Sequence, residues 1–175
     1  MKCFKASSEE PEILLFDSVD EIRKELGFVG THGVFDPNEF KIYATLQSLP
    51  HEIGHYKDFR SGRMRPPHLE GSVETKNLAR LRNEMVATLY AWKKTADPTF
   101  LLPYEREFIE WVYFQIDRGH SLHTHELKDW SFSDIQDFVE HFIANKPTEL
   151  KKLRTLFAHY LDRIPSQPEL QAWVF

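Results

Sequence analysis

Cysteine is nearly absent from this chain: Cys3 is the only one among 175 residues. A lone cysteine excludes an intrachain disulfide and a thiolate metal cluster, and it gives no sign of an oxidising compartment. Long apolar runs are missing as well. No stretch approaches the roughly 20 apolar residues of a membrane span, and the opening MKCFKASSEEPEILLF lacks the apolar segment of a signal peptide. A cytoplasmic location without a membrane partner is the expectation. A basic excess is also missing. Lys and Arg number 22 against 27 Asp and Glu, a formal net charge of -5, so the positive footprint of a nucleic-acid partner is lacking.

What is present is enough for a core. Hydrophobic residues make up 41% and aromatic residues 14%, and no repeat, low-complexity tract or linker divides the chain. One domain over 1–175 is expected, of α+β class and mostly helical. Ile13-Leu-Leu-Phe16 reads as a buried strand. Ser18 and Glu21 form a capping box for a helix from Val19 to Leu26 that stops at Gly27. Gly33–Phe35 and Phe40–Tyr43, separated by Asp36-Pro-Asn-Glu39, read as a hairpin.

Helix follows from Ser48 or Leu49, with Pro50 tolerated in the first turn, to about Ser61-Gly62. Pro66, Pro67 and Gly71 mark a loop over 63–76. A long helix is expected from Asn77 to Lys94, closed by Asp97-Pro98, and further helices over 104–117, 133–144 and 148–163. The aromatic residues of the last third, among them Phe108, Phe138 and Phe142, are expected in the core. The apolar tail 170–175 is expected to dock on the body.

The run His51-Glu-Ile-Gly-His55 carries the chemistry. Residues four apart on a helix project from one face, so both imidazoles can aim at one point, a two-toothed clamp for zinc. Glu52 stands beside that point. It can accept a proton from a water acidified by the metal and return it to a leaving amine. Gly54, inside the motif, lets another segment approach closely. With nine histidines in a glutamate-rich chain, a chance match on a solvated helix is the competing explanation.

HEIGHYKDF resembles the metal-binding helix of the zincin metallopeptidases, and the hairpin before it resembles their substrate-side edge strand. The metzincin branch would place glycine and histidine where Asp58 and Ser61 stand, which excludes it. The gluzincin branch takes its third ligand from a glutamate on a following helix, and Arg82-Asn-Glu-Met-Val-Ala87-Thr-Leu is similar to that pattern. The resemblance therefore implies Glu84 as third ligand beside His51 and His55, with zinc as cofactor and Glu52 as general base. Small intracellular peptidases of the ImmA/IrrE type share the order of strand, motif helix and Glu-x-x-Ala helix. Here Thr88 stands where asparagine is common in that group, and Pro50 shortens the helix before the first histidine. The likeness spans about Phe40 to Trp92. It implies a zincin core over 13–95, with a small N-terminal sheet or hairpin, and a helical C-terminal part over 100–175.

Several other groups remain open. His120, His123 and His125 lie beside Gly119 in an expected loop, where one could stabilise an oxyanion or a second metal could bind; an exposed polar loop is the plainer alternative. His68, Glu70 and Glu74 are rival third ligands, ranked below Glu84 because a helix orients a ligand better than a loop. Asp58 is expected at the helix surface or accepting the free N–H of a ligand imidazole. Arg60, Arg63 and Arg65 flank the motif helix and could pair with an acidic substrate or a free carboxylate; a solvated rim is the plainer expectation. Three functions follow: a zinc peptidase acting on a peptide or protein, a catalytically silent zincin-fold binding or regulatory protein, and a helical interaction domain without metal.

Overall fold

Alternation along two short strands decides how the N-terminal layer is built. The computed structural model describes residues 1–5, 7–27, 32–65, 73–101, 105–109 and 127–145. Strands β1 (Lys2–Phe4), β2 (Glu12–Leu15), β3 (Gly33–Asp36) and β4 (Lys41–Ala44) form one mixed sheet in the order β1-β2-β4-β3. β2 and β4 are parallel; the two outer pairs are antiparallel, with Val34 opposite Tyr43 in the β3–β4 hairpin. Successive side chains of a strand point to opposite faces. Leu14, Phe16 and Tyr43 therefore meet Ile22 of helix α1 (Val19–Leu26) on one face. Phe35, Ile42 and Ala44, with Ile13 and Leu15, face helix α2 (Leu49–Arg60) on the other.

The local signals act as expected in this half. The Ser18 hydroxyl accepts from the Glu21 amide and the Glu21 carboxylate accepts from the Asp17 amide. Gly27 closes α1 at φ 72°, a left-handed conformation that glycine adopts without a Cβ clash. In the hairpin turn, Asp36 Oδ1 accepts from the amides of Asn38 and Glu39. β1 was not expected. Its three residues are all exposed and show no alternation; pairing with β2 alone makes them a strand.

Helix α3 (Val73–Thr95) is the centre of the molecule. It begins four residues before the expected Asn77, since nothing after Gly71 interrupts it and no glycine or proline stands between 73 and 95. From Leu81 to Ala91 every residue is buried, so this stretch is enclosed on all sides rather than amphipathic. Leu81, Met85 and Leu89 pack with Leu101, with Phe108 of helix α4 (105–109), and with Trp130, Ile135 and Phe138 around helix α5 (Phe132–Asn145). Full burial of each such side chain contributes about 1.5–3 kcal/mol. α5 opens on a reciprocal cap: Asp134 N–H donates to Ser131 Oγ and Ser131 N–H to the Asp134 carboxylate.

The architecture is α+β and mostly helical, a small mixed sheet with a helical body. Among the described residues no helix is long and apolar enough to cross a membrane. The expected helix 148–163, the tail 170–175 and most of 104–117 lie outside the described residues.

Candidate metal centre

α2 has two buried sides. Leu49, Ile53, Tyr56 and Phe59 face the sheet, while His51, His55 and Asp58 are buried on another side, toward α3. Histidine and aspartate pressed between helices need partners, because an unpaired buried polar group costs about 1–3 kcal/mol.

Glu84 of α3 partners both histidines. His51 Nε2 lies 3.0 Å from Glu84 Oε2, and His55 Nε2 lies 3.1 Å from Glu84 Oε1. The two rings stand at 78° with centroids 4.8 Å apart, so their Nε2 atoms converge on the carboxylate from different directions. One donor atom from each of the three residues falls within 4.8 Å of the others, and all three side chains are buried. The donors fit zinc: two imidazoles and one carboxylate leave a fourth position for water. A tetrahedron with bonds of about 2.0–2.1 Å has edges of roughly 3.3 Å, and each imidazole Nε2 lies 3.0–3.1 Å from one of the two Glu84 oxygens.

Gly54 makes the approach possible. A Cβ at that position would stand 2.8 Å from Ala87 Cα and 3.1 Å from Ala87 O, well inside contact distance. Gly54 lies within the motif and Ala87 lies three residues after Glu84, so a close backbone approach of α2 and α3 falls beside the three donors.

The electrostatics of the protein without metal show what the site demands. Burial works against charge on His51, but the carboxylates of Glu105 and Glu84 outweigh it and push the imidazole up to about 10. Burial likewise opposes ionisation of Glu84, and the two imidazoles overcome it, holding the carboxyl well below its ordinary range. Both shifts mean that positive charge is stabilised between these groups. A proton can supply it, and so can a cation.

Glu52 is buried on the side of α2 that faces β3. Its carboxylate accepts from the Phe35 amide, and burial raises its pKa even though the nearby imidazoles oppose the shift. It can sit there because Gly33 has no side chain: a Cβ would come within 2.8 Å of Glu52 Oε1 and 2.9 Å of its Cγ. The motif thus presents its glutamate to a strand edge and its histidines to α3.

Asp58 corrects the expectation set for it. It is fully buried and accepts no hydrogen bond from the free Nδ1 of either imidazole; it pairs with Arg82 and accepts from Gln136 Nε2 at 2.7 Å. The side chain faces the Arg82 end of α3, before Glu84, where α5 also packs. Arg63 is partly exposed but paired within the chain. It donates to Asp137 at 2.8 Å, to Glu140 at 2.5 Å and to Gln136 at 3.3 Å. Asn83 clasps the backbone N–H and C=O of Arg65. These bonds tie the end of α2 and the chain after it to α3 and α5.

His68, Glu70, the side chain of Glu74, and His120, His123 and His125 lie outside the described residues. Among the described residues, the buried polar groups Arg82, Asn83, Gln136 and Glu105 escaped the sequence reading. Glu105 Oε1 lies 3.4 Å from His51 Nδ1, on the opposite side of the ring from Glu84. Its only sequence signal was an acidic residue at the start of an expected helix, which reads as a complement to the helix dipole. Compared with known proteins, the chain matches no family description, no curated protein and no solved structure.

Proposed function

We propose that this chain is a zinc-dependent peptidase of the gluzincin kind, with His51, His55 and Glu84 as metal ligands and Glu52 as general base. The observation that carries this is the convergence of three buried donors from two helices, two imidazoles and a carboxylate, with Glu52 as a further buried carboxylate on the same motif. Zinc, when bound, supplies a Lewis acid that acidifies a water and polarises the carbonyl of the bond to be cleaved.

The chain's own residues supply the rest. Glu52 takes the proton of the attacking water and delivers it to the departing amine nitrogen, so that the glutamate ends in its starting state. Burial favours this role, since a carboxyl whose pKa is raised both accepts a proton more readily and holds it until transfer. The Phe35 amide and the gap at Gly33 hold its carboxylate in place. Glu84 balances part of the metal charge, and its two oxygens each face one imidazole.

The second reading is a zincin-fold shell that holds metal without turnover. It draws on the same hydrogen bond, because a Glu52 engaged by β3 is a base already occupied. Glu52→Gln separates the two. For a peptidase, the variant keeps its zinc and loses cleavage of a peptide library that the parent hydrolyses; equal cleavage by both proteins rules out the general-base role.

A further inference from the structure

His51 is held from both sides. One ring nitrogen faces Glu84, and the other lies 3.4 Å from Glu105 Oε1 in α4. Glu105 is among the most buried carboxylates of the described residues, 3% exposed. The two nitrogens of an imidazole point in opposed directions, so a single ring spans the gap between α3 and α4.

We propose that Glu105 is the positioning residue for His51: it accepts the Nδ1 proton and thereby fixes Nε2 as the nitrogen presented to the metal. The inference rests on the metal reading above and adds to it a residue from outside the motif and its partner helix. For Nε2 to donate its lone pair, the proton of a neutral imidazole must sit on Nδ1. Nδ1 of His51 is buried and makes no hydrogen bond of good geometry among the described residues. Glu105 is the carboxylate beside it, about 0.2 Å beyond the usual N–H···O range.

The two histidines are not equivalent. His55 Nδ1 is also buried and, like His51 Nδ1, makes no hydrogen bond among the described residues, but only His51 Nδ1 has a carboxylate within 4 Å there. His51 is therefore, of the two histidines, the one with a carboxylate at each ring nitrogen, the second supplied from α4. Phe108 and Ile109 of α4 are buried in the helical core, so packing there sets where Glu105 stands.

The test compares zinc affinity of the full chain, by competition with a chromophoric chelator, with Glu105→Gln and Glu105→Ala. Long-range proton–nitrogen NMR of the histidine rings in zinc-loaded protein reports the tautomer. Expected is a loss of roughly 10–100-fold in affinity for Glu105→Ala. Glu105→Gln, whose carbonyl oxygen can accept the same proton, should regain part of that loss. In the parent, His51 should carry its proton on Nδ1. Affinity in Glu105→Ala within twofold of the parent overturns the proposal, as does a zinc-loaded parent in which Nδ1 of His51 carries no proton. If Glu105→Ala does not fold, Glu105→Gln and the tautomer carry the test: unchanged affinity with a ring not protonated at Nδ1 overturns it. A parent that binds no zinc overturns the metal reading itself, a different result from a parent that binds zinc no better than its variants.

Discussion

Replacing Gly54 with alanine tests the packing on which the metal centre depends. In an ordinary helix the change stabilises, by about 1 kcal/mol, because alanine has the higher helix propensity. Here the new Cβ would stand 2.8 Å from Ala87 Cα and 3.1 Å from Ala87 O, against ordinary carbon contacts of about 3.5–4.0 Å. Those atoms are backbone and cannot swing aside. α2 and α3 must separate by about 1 Å, at an overpacking cost of about 1–3 kcal/mol. The net expectation is a loss of up to about 2 kcal/mol, which lowers Tm by up to roughly 4–8 °C at this chain length. Zinc affinity should fall further than stability suggests. Metal sites tolerate displacements of about 0.2 Å, and the separation moves Glu84 away from both imidazoles, so a loss on the order of 10–100-fold is expected. Urea unfolding of the metal-free protein and chelator competition measure the two effects. A Gly54→Ala protein that is about 1 kcal/mol more stable and binds zinc as before would refute the close approach.

Two further outcomes follow from the buried charges. Arg82→Met leaves Asp58 buried without its cation and should cost about 3–5 kcal/mol in urea unfolding, whereas Arg82→Met with Asp58→Leu should recover most of it. The metal-free protein should be most stable between about pH 4.5 and 6.5, the ordinary values of the two groups: the lowered Glu84 contributes stability present above 4.5 and lost as pH falls through its folded value, and the raised His51 contributes stability present below 6.5 and lost as pH rises toward about 10. Zinc must displace the His51 proton, so its apparent affinity should rise from pH 6 toward pH 10, with about one proton released per ion near pH 7; calorimetry in buffers of different ionisation enthalpy measures that release.

Much of this organisation was legible because it is local. The Ser18–Glu21 cap, the Gly27 stop, the hairpin about Asp36 and the start of α2 at Leu49 each depend on residues within one turn of each other. The pair His51 and His55 was legible for the same reason. Glu84 was nameable only through resemblance, although Gly54 signalled that some segment passes close. What could not be read depends on distant pairing. Asp58 finds Arg82 across 24 residues and Gln136 across 78, and nothing near it in sequence predicts burial of an aspartate. Arg82 sits within a helix stretch whose neighbours on every side come from elsewhere in the chain. β1 carries no pattern of its own, and Glu105 acquires meaning only when α4 packs behind His51.

Elemental analysis of the purified protein beside its Glu84→Ala variant tests the metal centre most directly. About one zinc per chain in the parent, and zinc lost or held far more weakly in the variant, is the result expected. A parent without zinc, or a variant that retains it with equal affinity, would contradict a site built from His51, His55 and Glu84.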